Sequence, residues 1–237
     1  MKMAMVRVGI DSGCGGIQGP LFKDGAFEYI PIPDGFGIDS RTYGNTQGRH
    51  GRYLIDYFPA SRRDKMAQQP IHYDPEFETF TYGDPTSPKA GLRHLEPGDM
   101  LVFYCGLAGW DFGSGPALYL IGYFEVLEAG RAGDFSPDEF QDIFGHNFHV
   151  RHPCIYERQK NDLVLVKGSS NSRLLNKAVL ISTTGQDRSG RPLKVLSPEM
   201  QRIFGDFDGK ISIQRSPTRW VKPDFVRKAT EYVRSLD

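Results

Sequence analysis

Cysteine is scarce. Cys14, Cys105 and Cys154 are the only three in 237 residues, too few and too scattered for a disulfide framework, and an odd number of thiols fits a reducing interior. Long apolar runs are missing as well. The stretches stop at about six residues, far below the ~20 that span a bilayer. Arg7 and Asp11 break the opening MKMAMVRVGID too early for a secretory signal. A cytoplasmic protein without a membrane segment is expected. Excess charge is also absent, with 29 Lys+Arg against 29 Asp+Glu. That balance excludes a globally basic nucleic-acid coat and leaves room for a local basic patch. No internal repeat, low-complexity tract or linker divides the chain, so residues 1–237 read as one domain.

What is present is turn-rich and aromatic. The 27 Gly and 16 Pro suit many turns between short strands. MVRVGI at 5–10 reads as a strand ending in the loop DSGCGGIQGP, and AFEYIPI at 26–32 as a second strand. Residues 33–52 read as an ordered surface loop, and YLIDYF at 53–58 as a short strand or helical turn. Five prolines between 59 and 90 exclude a long helix there. LEPGDMLVFYCGL and ALYLIGYFEVLEA read as strong buried strands joined by AGWDFGSGP, and DLVLVKG as another. Ser136 and Pro137, followed by Asp138 and Glu139, mark a helix start at SPDEFQDIF. HNFHVRHPCIY reads as extended, and SSNSRLLNKAVLIS as a turn, a helical turn and a strand. SPEMQRIFG repeats the helix start, with Gly205 to end it. KPDFVRKATEYVRSL is the strongest helix, placing Phe225, Val226, Ala229, Tyr232, Val233 and Leu236 on one face.

Several clusters could carry chemistry. DSGCGGIQGP has no Gly-Lys-Ser/Thr and no helix after it, so its glycines serve a tight turn better than a phosphate. Asp11 and Cys14 in it, and Glu28 beyond it, are the candidate catalytic residues, although Asp11 has a simple alternative use in satisfying the turn. His146, His149 and His152 stand every third residue ahead of Cys154. An extended segment would split them between two faces, so a polar groove wall is expected, with no metal and no cofactor. Lys167, Ser172 and Arg173 combine cations and a hydroxyl suited to a nucleic-acid backbone. Arg215, Arg219 and Trp220 form a second basic–aromatic cluster.

Gly98, Asp99, Leu101, Val102, Phe103 and Tyr104, with Ile121, Gly122 and Val126, resemble the two core strands of PUA-like domains, the group of the EVE, ASCH and YTH families. That resemblance implies a small barrel whose cleft receives a modified or flipped base. Over most of the chain, VGIDSGCGGIQGPLFKDGAFEYIPIP, TYGDP, LEPGDMLVFYCGL and LVLVKGSSNSRLLNKAVLIS resemble the third type of nucleotide modification associated domain. This second resemblance implies a place in a base-modification system and carries no catalytic residue across.

The expected fold is therefore α+β: a PUA-like, partly open β-barrel core with an N-terminal strand extension and a C-terminal helix. The leading expected function is recognition of a modified base or nucleotide in a DNA- or RNA-modification system. An unstacked base would stack on Tyr104 and Trp110, with Asn147 and His149 on its edge and Lys167, Ser172 and Arg173 on flanking phosphates. One alternative is an enzyme acting on a nucleotide or modified base through Asp11 and Glu28. Another is a protein-interaction subunit of such a system, docking through residues 33–90. The expected partners are nucleic acid or a modified nucleotide, together with other proteins of the modification system.

Overall fold

A computed structural model describes residues 1–214 and 217–236. The chain begins with β1 (Met3–Arg7), β2 (Gly19–Leu21) and β3 (Ile32–Pro33). A 3-10 turn at Leu54–Tyr57 precedes α1 (Ala60–Ala67), β4 (Ile71–His72) and β5 (Thr81–Asp84). A second 3-10 segment, Ser87–His94, leads to β6 (Met100–Gly109) and β7 (Ala117–Arg131). Three short helices follow: α2 (Pro137–Phe144), α3 (Phe148–Arg151) and α4 (Pro153–Gln159). After β8 (Val164–Gly168) and β9 (Arg173–Leu180) comes the hairpin of β10 (Ser182–Gln186) and β11 (Pro192–Leu196). The chain then forms α5 (Pro198–Phe204), β12 (Arg219–Trp220) and α6 (Pro223–Arg234).

The main sheet runs β12-β1-β6-β7-β8-β5, with β2 continuing along β6 beyond β1 and β9 pairing with β7. β6 and β7 are antiparallel, paired from Met100 opposite Glu125 to Leu107 opposite Ala117 with a register shift between Phe103 and Tyr104. β1 lies parallel to β6, from Met3 beside Met100 to Arg7 beside Tyr104. The near-continuous apolar sequence of β6 follows from this position, because both of its faces are covered and residues 100–107 are buried. Phe77, Phe103 and Phe124 meet edge to face beside it, with ring centroids 4.6–5.6 Å apart.

The two strands expected to be neighbours are neighbours, but the sheet is open rather than closed into a barrel. The edges are β12 and β5. Each is short and runs within a few residues into a proline, Pro223 or Pro85, which has no N–H to extend a ladder.

α5 starts at Ser197, whose side chain accepts from the Met200 amide, and stops at Gly205, whose φ is +78°. α6 buries Val226, Ala229 and Val233, with Phe225, Tyr232 and Leu236 packed alongside. The start of α2 falls where expected, although the side chains of Asp138 and Glu139 lie outside the described set, as does Arg215.

Three expectations are corrected. HNFHVRHPCIY is helical, because Asn147 caps α3 and Pro153 takes the first position of α4. Residues 173–180 form a strand throughout, since β7 offers them a ladder. The 26–32 stretch is strand only at its end; Ala26 and Phe27 make isolated bridges.

Residues 33–72 are more than a surface loop. Tyr43, Leu54, Tyr57, Phe58 and Ile71 form a second small core with Ile10, Ile17 and Ile30, and the Tyr43 hydroxyl donates to the Pro31 carbonyl (2.8 Å).

Lys89 is buried and its Nζ has no hydrogen-bond partner. Burial pushes its amine down to about 8 from an ordinary 10.5. Below about pH 8 the full cost of a charged, buried amine is present. That cost is relieved as pH rises from about 8 toward 10.5, so stability increases across that window. Lys89→Met is expected to raise the unfolding free energy at pH 7 by about 1–3 kcal/mol and to flatten the alkaline rise, read by urea denaturation at several pH values. Phe103→Ala, which opens the aromatic cluster, is expected to lose about 3–5 kcal/mol in the same assay.

Candidate functional site

β1 and β2 lie end to end along β6, so the chain between them must leave the sheet and return. That loop, with the start of β3, the β4–β5 corner and α3, walls a cavity of about 580 Å³, a volume in the range of small-molecule sites. Its lining includes Phe36 and a floor of His72, Asp74 and His149.

The three floor residues arrive from separate elements. His72 ends β4 and Asp74 follows two residues later. His149 is carried by α3, whose cap Asn147 accepts from the His149 amide (3.0 Å). Within the cluster, His149 Nε2 lies 3.1 Å from His72 Nε2 and 3.4 Å from Asp74 Oδ2, and His72 Nε2 is 3.9 Å from the same oxygen. The far nitrogen of His149, Nδ1, is 2.6 Å from Gln159 Oε1 at the end of α4. Asp74 Oδ2 also accepts from the Gly83 amide (2.9 Å). Asp74 Oδ1 is buried with no hydrogen-bond partner. The side chains of Asp74 and His149 are each 2% exposed, and that of His72 is 19% exposed.

Burial dominates the electrostatics. It pushes the Asp74 carboxyl up to about 6, against the pull of the His149 hydrogen bond and charge. Burial also opposes charge on His149, but Asp74 and Gln159 outweigh it and hold the imidazole above its usual range. His72, buried beside His149, is driven well below.

A second group braces this floor. The buried Asp39 carboxylate accepts from Arg151 of α3 and lies 3.4 Å from both Arg41 and His152. Burial works against its charge, but the Arg41 amide and the two guanidiniums lower its pKa overall. Asp34, also buried, accepts from the amides of Phe36 (2.7 Å) and Ile38 (2.9 Å). It thereby holds Phe36, 40% exposed, at the cavity wall.

The family model for nucleotide modification associated domain 3 matches residues 2–235. The chain belongs to that family. No curated protein and no solved structure matches it significantly. Every residue of the cavity lies inside the matched range, and TYGDP, one of the stretches that resembles the family, supplies Tyr82, Gly83 and Asp84 to its lining. No helix among the described residues is long and apolar enough to cross a membrane.

In this member of the family the expected site residues separate. Asp11 and Cys14 reach the cavity, yet Asp11 is chiefly a turn residue: Oδ1 accepts from the amides of Gly13 (2.7 Å) and Cys14 (2.8 Å), and Oδ2 pairs with Arg7 (2.8 Å). Burial, then the Asp11 charge, raises the Cys14 thiol above its ordinary value, away from a ready thiolate. Glu28 does not converge with Asp11. It lies in a different depression beside Arg49 and Tyr73, pushed up by burial.

Tyr104 is fully buried in the core and donates to the Ile213 carbonyl (3.1 Å), so it faces no cleft. Trp110, 39% exposed, packs edge-on to Tyr57 (5.2 Å) and is not part of the cavity. Lys167 donates to the Thr79 carbonyl. Ser172 is buried and accepts from the Glu125 amide (3.1 Å). Arg173 is exposed, with its guanidinium 5.8 Å from the Tyr123 ring centroid.

Of the expected residues, His149 stands at the centre of the site, and Asn147 positions it. Its partners are His72 and Asp74, whereas His152 faces Asp39. Both missed residues sit in IHYDP. Their i, i+2 spacing, which puts two side chains on one face of an extended segment, was the available signal.

Gly83 is the tightest point of the site. A Cβ there would come within 2.8 Å of His149 Cδ2 and 2.9 Å of Asn147 Oδ1. Gly83→Ala is expected to cost about 1–3 kcal/mol in denaturant titrations by forcing α3 outward. Gly133→Ala, where a Cβ meets nothing within 4 Å, serves as the near-neutral control.

Proposed function

We propose that this cavity takes up a nucleobase, free or extruded from a strand, and that the buried His72–Asp74–His149 group acts on it. The observation that carries this reading is the meeting of three proton- and metal-competent side chains, Asp74 and His149 buried and His72 half-buried, in a cavity of about 580 Å³ whose lining also presents an exposed phenyl ring. Membership of a nucleotide modification associated family supports a nucleobase as the substrate class.

Charge distribution favours a base over a phosphate inside the cavity. Three carboxylates, Asp11, Asp74 and Asp84, line it against Arg7, and Arg7 is already engaged by Asp11 and by the Gln214 carbonyl. A phosphate would be repelled there, whereas the amino groups of a base edge would find acceptors. In this reading the base stacks on Phe36 and turns its edge to His72 and Asp74. This reading retains base recognition and adds chemistry. It moves the stacking surface from Tyr104 and Trp110 to Phe36, and the acid from Glu28 to Asp74.

Binding of nucleosides and short modified oligonucleotides, followed by fluorescence anisotropy, tests the stacking role. Phe36→Ala is expected to weaken binding by about 1–3 kcal/mol with little change in melting temperature, because the ring is already half in solvent. Mass spectrometry of the oligonucleotides should show base conversion that Asp74→Asn abolishes. Unchanged affinity in the folded Phe36→Ala protein would overturn the reading.

A further inference from the structure

From the geometry of the cavity floor we infer that His72 Nε2, Asp74 and His149 Nε2 form a binding site for one divalent first-row transition-metal ion. Three observations converge on it. The first is distance. Separations of 3.1, 3.4 and 3.9 Å among His72 Nε2, His149 Nε2 and Asp74 Oδ2 put the point equidistant from all three at about 2.0 Å from each atom. That is the bond length of zinc to imidazole nitrogen and carboxylate oxygen.

The second observation is the orientation of lone pairs. Gln159 Oε1 can only accept, so the 2.6 Å contact places a proton on His149 Nδ1 and leaves Nε2 as the nitrogen that a metal can bind in exchange for a proton. A histidine fixed by an outer acceptor in this way is the usual arrangement around a metal-binding imidazole. Asp74 is fixed likewise by the Gly83 amide (2.9 Å). Two imidazole nitrogens and a carboxylate oxygen thus converge on one point, where a metal ion can take the place of the protons that otherwise lie between them.

The third observation is the orphaned oxygen. Asp74 Oδ1 is buried and has no hydrogen-bond partner, an expensive state for a carboxylate unless a cation neutralises the group.

Two nitrogens and one carboxylate select a transition metal over Mg²⁺ or Ca²⁺, which prefer all-oxygen shells. Three protein ligands leave at least one position open, which is the pattern of a catalytic rather than a structural centre. What would fill that position rests on the base-binding reading above, but the presence of the metal does not.

The test uses the whole chain, stripped with a chelator and reloaded with Zn²⁺, Co²⁺, Fe²⁺ under argon, or Mg²⁺. About one Zn²⁺ or Co²⁺ per chain should remain after desalting. The Co²⁺ form should show visible d–d absorption, a signature that needs no variant, and Mg²⁺ should not be retained. His72→Gln, chosen because His72 is the most exposed of the three, should abolish retention while the far-ultraviolet spectrum stays unchanged. Gln159→Leu, which removes only the orienting acceptor, should weaken Zn²⁺ by about 10–100-fold. Absence of stoichiometric metal, equal retention by His72→Gln, or equal binding of Mg²⁺ would each overturn the site. Base binding measured on the metal-free protein is a separate readout. Metal retention without base binding removes the base reading alone, and base binding without metal retention removes the metal alone.

Discussion

Asp74 is the residue on which the arrangement depends. Its main-chain carbonyl accepts the Tyr29 hydroxyl (2.9 Å). Its carboxylate takes the Gly83 amide from the edge strand β5 and faces both histidines. One residue therefore ties the N-terminal segment, the β4–β5 corner, the edge of the main sheet and α3. A buried carboxylate with so few partners is costly, and removing one side of such a group commonly costs about 3–5 kcal/mol because the other is left uncompensated. Stability spent in this way at a cavity floor, rather than on an apolar packing, is characteristic of a functional position.

The rest of the fold makes that position affordable. The sheet centre, β6 against β7 with the Phe77–Phe103–Phe124 cluster, is buried on both faces along residues 100–107 and 118–124. The cavity lies where irregular segments meet the sheet, and each of those segments is pinned by an acid, buried in the case of Asp34 and Asp39. Asp34 closes the loop that carries Phe36. Asp39 clamps that same region to α3 through Arg151. Asp11 closes the loop between β1 and β2. Loops fixed by carboxylate–amide hydrogen bonds can place side chains almost as firmly as strands do, which is how a site made from non-consecutive, turn-rich sequence holds a spacing of a few ångströms.

Much of this was legible in the chain itself, because local rules carry it. The apolar runs of β6 and β7 mark them as a buried pair. Ser197, Pro198 and Gly205 mark both ends of α5, and the spacing in KPDFVRKATEYVRSL marks the buried face of α6. Long stretches similar to the third nucleotide modification associated domain marked the family. Elsewhere tertiary context outweighs local preference. HNFHVRHPCIY is helical because its asparagine and proline serve as helix-start signals, not as breaks in a strand. Residues 173–180 form a strand because β7 has an unpaired edge to offer them.

The sequence by itself thus determined the mixed α and β character of the fold, the central strand pair and the terminal helix, and it singled out His149 as a candidate. Only the tertiary structure decided that the sheet stays open, that Tyr104 serves the core, and that His149 meets His72 and Asp74 rather than His146 and His152. The physical reason is separation along the chain. His72 and His149 are 77 residues apart and reach 3.1 Å only after the 33–72 segment folds back against α3. No periodicity or spacing rule spans such a gap, because the contact is set by how whole elements pack and not by the local geometry of any one of them.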